Sequence, residues 1–497
     1  MAQPCDIILE YGIFVYSRRE THQVKAQKKH TTNEKATVTP HIDGIDITSD
    51  RLTSRGGLAL FVKYLRNVDI DPHLDRLFGS IRKNGKGVGV SELFKQLFSF
   101  FTDGSSRRLT YFDALQQDEG YAAAIETDVG KMASSHAVKR FFQAFRWPRI
   151  FLFRRLLQRL FLWRLRIKTP KIVILNIDTM VMNNDDAKNR HGVKPTYKKI
   201  KGFQPLQMTW GRFIIDAVFR GGDKHSNHSD TVEKMVRHVV NLIRKQYDPN
   251  IPIIIRLDSG FFDQKLFNLF EKLGIGYICG GRLVGDIVSM VDSMPCESWN
   301  RFKSGSSKDN VWEYIELGDR RSSWKRFRRA FFCRPLSEDG QLLLPTLRPG
   351  SIIYTNLGMG QVVDQQLATL GLQNQTTPDA VIACYHQRGS DELIHRALKE
   401  FGFEQLPFKR FAPNAAFYYT MLTAFFLYEA FKEDVAAPVI GIGAYPTTVR
   451  RQLIDIAAKV ISHSGKIVLK ITSATWTRLR FEKLWNQAAS PPKFAWA

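Results

Sequence analysis

The sequence predicts an α/β protein with a helical N-terminal region and a β-rich insertion inside its sheet-forming half. Three observations predict it. Up to Trp147 apolar residues recur at helical spacing. From Pro170 short branched apolar runs alternate with amphipathic stretches. Between Gly280 and Asp379 that alternation dissolves into short strands separated by Gly, Ser and Pro. With 497 residues, 44% of them apolar, the chain can bury substantial cores. The resulting division is a leader (1–48), a helical region (49–169) whose basic loops at Lys83 to Gly89 and Asp103 to Arg108 suit DNA binding, a first core segment (170–280), the insertion (281–378), a second core segment with C-terminal helices (379–475) and a tail (476–497).

The leader is expected to be disordered, because Arg18 to Lys35 is polar and rich in Lys, His, Gln and Thr. In the helical region Leu58, Leu60, Phe61, Tyr64 and Leu65 share one apolar face. Leu93, Phe94, Leu97, Phe98 and Phe101 share a second, and Val138, Phe141, Phe142 and Phe145 a third. The loops Lys83 to Gly89 and Asp103 to Arg108 are basic and suit a phosphate backbone. Phe151 to Lys168 reads as a packed helix whose Arg154, Arg155, Arg159, Arg164 and Arg166 face solvent.

KIVILNID (Lys171 to Asp178) and IPIIIRLD (Ile251 to Asp258) are branched apolar runs that each end in Asp, the pattern of central strands. TWGRFIIDAVF (Thr209 to Phe219) and IGYICG (Ile275 to Gly280) read as further strands, with helices over Asp230 to Arg244 and Gln264 to Leu273. In the insertion, strands are expected around Trp312 to Ile315, Phe327 to Phe332 and Ser351 to Thr355. A helix opens near Gly389, with Ser390 or Asp391 as its cap. It is followed by an apolar helix over Ala415 to Lys432, a helix over Thr448 to Ser462 and a strand over Lys466 to Thr472.

The balance of 72 basic against 48 acidic residues leaves a formal charge of +24, which points to a polyanion and above all to nucleic acid. Arg320 to Arg334 concentrates this charge, with Arg326 and Arg328 among seven cations and Trp324, Phe327, Phe331 and Phe332 between them. Such interleaving fits a nucleic-acid channel. The five cysteines form no CxxC pair, which argues against zinc and disulfides and fits the cytoplasm. No basic start followed by an apolar core marks a secretory signal. Phe411 to Tyr428 is uncharged but holds Pro413 and Asn414, so it reads as a buried helix and no membrane partner is expected.

Asp178 and Asp258 end strands at the edge of an α/β sheet where active sites form. Glu392, in the first turn of its helix, would join them as a third hard oxygen donor for Mg²⁺ or Mn²⁺. Two such ions suit in-line displacement at phosphorus. His225 and His228 belong to a loop.

The spacing Tyr385, Arg388, Glu392, Lys399 resembles the Tyr-Arg-Glu-Lys signature of bacterial DDE insertion-sequence transposases. The stretches TSRGGLALF, NIDTM, GFQPL, RLDSGFF, YHQRGSDE and the APN step at Ala412 to Asn414 resemble the insertion-sequence 1380 family within DDE group one. The resemblance covers about Thr48 to Thr472. It implies an RNase H-like core interrupted by a β-rich insertion, with Asp178, Asp258 and Glu392 as catalytic and metal-binding triad for two Mg²⁺ ions. It further implies that Tyr385, Arg388 and Lys399 contact DNA phosphates and that an insertion-domain Trp, one of Trp299, Trp312 and Trp324, stacks on a flipped base. The expected activity is cleavage at element ends and strand transfer into target DNA, by a homodimer acting on double-stranded terminal inverted repeats. An endonuclease without strand transfer and an inactive DNA-binding relative are the alternatives.

Overall fold

In a computed structural model, residues 42–81, 87–303, 311–336 and 350–495 are described. The leader up to residue 41, most of the loop 83–89 and residues 304–310 lie outside them, as do the side chains of Ser390, Asp391 and Glu392. Residues 42–49 are exposed and have no regular secondary structure.

Nine strands form one mixed sheet: β1 (Val173–Thr179), β2 (Leu206–Trp210), β3 (Phe213–Val218), β4 (Ile253–Leu257), β5 (Gly276–Gly280), β6 (Asn300–Lys303), β7 (Val311–Asp319), β8 (Arg328–Pro335) and β9 (Ser351–Thr355). Their order is β6-β7-β8-β9-β5-β4-β1-β2-β3. The centre β5-β4-β1 is parallel and every other pairing is antiparallel. The central strands are largely apolar on both faces, and β4 is buried at every position, Arg256 included.

Two expectations change here. The run Thr209 to Phe219 is two strands rather than one: Gly211, at φ 53°, and Arg212 turn the chain so that Trp210 faces Phe213. The insertion's strands join the central sheet, since β9 pairs with β5 (Ile353 opposite Gly280) and β6 to β9 extend it. Thr448 to Ser462 is not one helix. A short turn ends at Ile454, and Ala458–His463 becomes a strand between Arg51–Thr53 and Lys466–Ile471.

The helical region does not fold apart from the sheet either. The Phe411–Phe431 helix is buried from Pro413 onward and touches both. Its Phe417 packs on Phe101 and Phe142 of the helical region, while Phe426 packs on Phe213 of β3 at 4.6 Å. Each aromatic ring so buried contributes on the order of 2–3 kcal/mol. Thr420 and Thr423 donate their hydroxyls to the carbonyls of Ala416 and Tyr419 four residues back, which lets them lie in the core. No described helix is long and apolar enough to cross a membrane.

The Trp147–Lys168 helix corrects the expected basic solvent face. Arg154 grips the fully buried Asp216 of β3 through two bonds of 2.8 and 2.7 Å. Arg164, 2% exposed, pairs with Glu433 and Asp434. These two arginines hold the helix to the core rather than facing solvent. The tail is ordered too, with a helix over Phe481–Ala489 packed on Leu58–Val68 and a bond from the Phe494 amide to the Val68 carbonyl.

Candidate active site

Asp178 lies at the end of β1 and Asp258 one residue beyond β4, its parallel neighbour. Ile177 sits opposite Leu257, so the two carboxylates follow side by side at the same sheet edge. Asp258 Oδ1 accepts the Gly260 amide at 2.9 Å, capping the turn Ser259–Phe261. A Cβ on Gly260 would lie 3.0 Å from that oxygen and 3.0 Å from Ser226 Oγ, which explains the glycine after Asp-Ser. The same contact places the loop of His225 and His228 beside the Asp258 turn.

Arg388 joins the carboxylates. Its Nη2 is 3.4 Å from Asp178 Oδ2 and 3.6 Å from Asp258 Oδ2. Arg388 and Asp178 are 18% exposed and Asp258 32%, so the cluster is partly shielded from water. Burial, then the neighbouring Asp178 charge, pushes the Asp258 carboxyl above its ordinary value, against the opposing pull of Arg388.

Tyr385 ends the Pro378–His386 helix and Arg388 is the N-cap residue of the next, Gly389–Phe401. Ser390 and Asp391 therefore stand inside the first turn rather than capping it. Glu392 is one turn beyond Arg388 on this helix. A Cβ on Gly280, at the end of β5, would come within 2.3 Å of the Tyr385 hydroxyl, so glycine there is what admits the ring. Burial pushes the Tyr385 hydroxyl above its ordinary value.

Arg256 was not singled out from the sequence. It is 7% exposed on β4, donating to Asn176 Oδ1 of β1 at 2.5 Å and to the Cys384 carbonyl at 2.8 Å. It thus ties the helix of Tyr385 to both Asp-bearing strands. An arginine inside an otherwise apolar strand run was the available signal.

Other expected contacts fall elsewhere. Lys399 Nζ pairs with Glu404 at 3.0 Å, eleven residues along from Arg388. Trp312 lies tilted against His386, the neighbour of Tyr385, with centroids 4.6 Å apart. The Trp299 ring lies under the Arg334 guanidinium at 3.4 Å. Trp324, 5% exposed, is packed among Phe262, Phe267 and Tyr354 and offers no open face to a base.

Arg328, 2% exposed, is paired with Glu271 and bonded to Asn268 at 2.8 Å, so it is a core cation rather than a DNA contact. Arg326 keeps 61% exposure. Across the strands Glu316 meets Arg329 and Glu313 meets Arg334, so much of the charge of Arg320 to Arg334 is neutralised within the fold.

Among the described residues no three His, Cys, Asp or Glu side chains cluster as a metal site. Two of the three expected carboxylates meet there, around a cation.

No curated protein matches the sequence. Among solved structures, a piggyBac transposase synaptic complex with hairpin DNA is similar at 11% identity, covering 90% of this chain and 88% of that one, with a TM-score of 0.37. The family model described as "Transposase DDE domain group 1" matches residues 34–490. The chain belongs to the DDE group 1 transposase family.

Proposed function

We propose that the protein is a metal-dependent DNA transposase whose reacting centre is built on Asp178, Asp258 and Glu392. The carrying observation is the meeting of two carboxylates from adjacent parallel strands on one guanidinium, in a chain of a DDE family. The order β3-β2-β1-β4-β5, antiparallel through its first three strands and parallel through its last two, supports an RNase H-like core. The spacing of Tyr385, Arg388, Glu392 and Lys399 supports the Tyr-Arg-Glu-Lys signature and the insertion-sequence 1380 branch.

The donor set fits a hard divalent ion, because Asp178 and Asp258 present oxygen alone and a cation already sits between them. Mg²⁺ or Mn²⁺, as a pair of ions held by Asp178, Asp258 and Glu392, would supply charge neutralisation at the scissile phosphate. Arg388 then turns its planar fork to the phosphate, where it can bind two oxygens at once. Tyr385 fixes a phosphate oxygen through its hydroxyl, and Lys399 makes a point contact further along the backbone.

Water attacks phosphorus at the element's end and the P–O3′ bond breaks, leaving a 3′-hydroxyl. That hydroxyl attacks a target phosphodiester and the target's P–O3′ bond breaks, in a cut-and-paste reaction by a homodimer bridging two ends; on a hairpin route it first attacks the opposite strand, and a second water must open the hairpin to restore the 3′-hydroxyl before joining.

The test is strand transfer of a pre-cut end, carrying the inverted repeat that flanks the coding region, into plasmid DNA with Mg²⁺. Joined product is expected; hydrolysis without joining would replace the reading by that of a nuclease. Asp178→Ala, Asp258→Ala and Glu392→Ala should each abolish cleavage while end binding persists. Near-wild-type cleavage by any of them removes that residue from the triad.

A further inference from the structure

A cleft of about 850 Å³ opens between the helical region and the far end of the Gly389–Phe401 helix. Arg107, Arg108 and Lys139 line one wall; Arg190, Lys399 and Lys409 line the other. Against these six cations the lining holds one carboxylate, Glu404, which is bound to Lys399 and accepts the Asn183 amide at 3.1 Å. Arg107, Arg108 and Lys409 are exposed and form no ion pair among the described residues. Arg190 is half-buried, with its guanidinium pushed below its ordinary value by burial, and donates to the Asn184 amide oxygen at 3.2 Å.

The walls are braced. Arg450 donates to the carbonyls of Phe101 and Thr102 on one side and of Glu400 and Phe401 on the other, at 2.7 to 2.9 Å. A Cβ on Gly104, which starts the loop of Arg107 and Arg108, would lie 2.1 Å from the Arg450 guanidinium carbon. The loop 403–409 is held from behind. Asn414 bonds both the amide and the carbonyl of Phe408, and Asn184 bonds the Leu406 amide and the Glu404 carbonyl. Unpaired cations on a braced frame bind an anion at little reorganisation cost.

We infer that this cleft carries the phosphodiester backbone of the substrate DNA some base pairs away from the reacting phosphate, with Arg107, Arg108, Lys139, Arg190 and Lys409 as its contacts. The inference rests on the transposase reading for the identity of the polyanion. Lys399 stands eleven residues beyond Arg388, about 16 Å along the helix at 1.5 Å per residue. A duplex following that axis advances about 3.4 Å per base pair, which puts the cleft about five base pairs from the carboxylates. Lys399 would then exchange Glu404 for a phosphate, and Glu404 keeps it aimed into the cleft until then.

The experiment is fluorescence-anisotropy binding of a labelled random-sequence duplex to the full chain across a KCl series, for wild type, Arg107→Gln/Arg108→Gln and a control, Lys466→Gln/Lys470→Gln. The control pair lies on the exposed strand Lys466–Ile471 and removes the same charge. Both pairs are exposed, and unchanged melting temperatures confirm folding. The cleft variant should bind at least tenfold more weakly, and its log K against log[salt] slope should be shallower by about 1.8, roughly 0.9 per lost contact. The control should match wild type. Equal slopes for cleft variant and wild type, or equal losses in cleft variant and control, overturn the proposal. Binding needs no catalysis, so the two readings fail separately. Strand transfer by wild type with unaffected cleft variants sinks the cleft alone; a cleft effect without strand transfer sinks the transposase reading alone.

Discussion

Arg388 occupies the place between Asp178 and Asp258 where a divalent cation is expected, so removing its charge should expose competition between the two. At 3.4 and 3.6 Å, and an effective dielectric of about 20, the guanidinium is attracted to each carboxylate by roughly 5 kcal/mol. Partial exposure, side-chain ordering and desolvation cut this to a net ~1–2 kcal/mol. Arg388→Gln should therefore lower stability in EDTA by about 1–2 kcal/mol, because two facing carboxylates lose their counter-charge. Mg²⁺ no longer has to displace the guanidinium, so its affinity should tighten about tenfold, at 1.4 kcal/mol per decade. Calorimetric melting across a Mg²⁺ titration reads both quantities, since stabilisation grows as RT ln(1 + [Mg²⁺]/Kd). Cleavage should fall because the phosphate loses its bidentate partner. A variant that binds Mg²⁺ no more tightly than wild type, with unchanged stability in EDTA, refutes the view that Arg388 holds a cation's place.

Gly280→Ala should force the Tyr385 ring outward and cost about 1–3 kcal/mol, as overpacking does. Adding Tyr385→Phe removes the hydroxyl at 2.3 Å and should recover part of the melting temperature, a non-additivity that independent sites would not show. Arg256→Met removes its bonds to the Asn176 and Cys384 oxygens and should cost about 1–3 kcal/mol in all. Its DNA cleavage should collapse while Mg²⁺-dependent stabilisation survives, because Asp178 and Asp258 stay on their strands; loss of both readouts would count against a positioning role. Arg328→Gln leaves the Glu271 carboxylate with the largely exposed Arg326 at 3.2 Å as its counter-charge and removes the bond to Asn268, and should destabilise by about 1–3 kcal/mol. It should leave the salt slope of DNA binding unchanged, and a shallower slope would return Arg328 to the DNA surface.

The sequence by itself determined a good deal. Periodicity separated helices from strands, and the apolar runs ending in Asp178 and Asp258 marked central strands, because a strand buried on both faces keeps few polar positions. The apolar stretch at 411–428 was legible as a core helix, since Pro413 and Asn414 fit a buried helix start poorly suited to a membrane. Local pattern carries no information about partners far along the chain, and there the reading failed. Arg154, Arg164 and Arg328 look like surface cations until Asp216, Asp434 and Glu271 arrive from 62, 270 and 57 residues away. The strand over Ala458–His463 read as helix because its pairing with Arg51–Thr53 spans most of the chain, and pairing decides strand over helix. That the insertion continues the central sheet rests on the register of β9 on β5, which the spacing of residues does not encode. Only the tertiary structure brought Arg388 between Asp178 and Asp258 and set Arg256 behind them. A charged group acts through distances of a few ångströms, and those distances are fixed by packing, not by spacing in the chain.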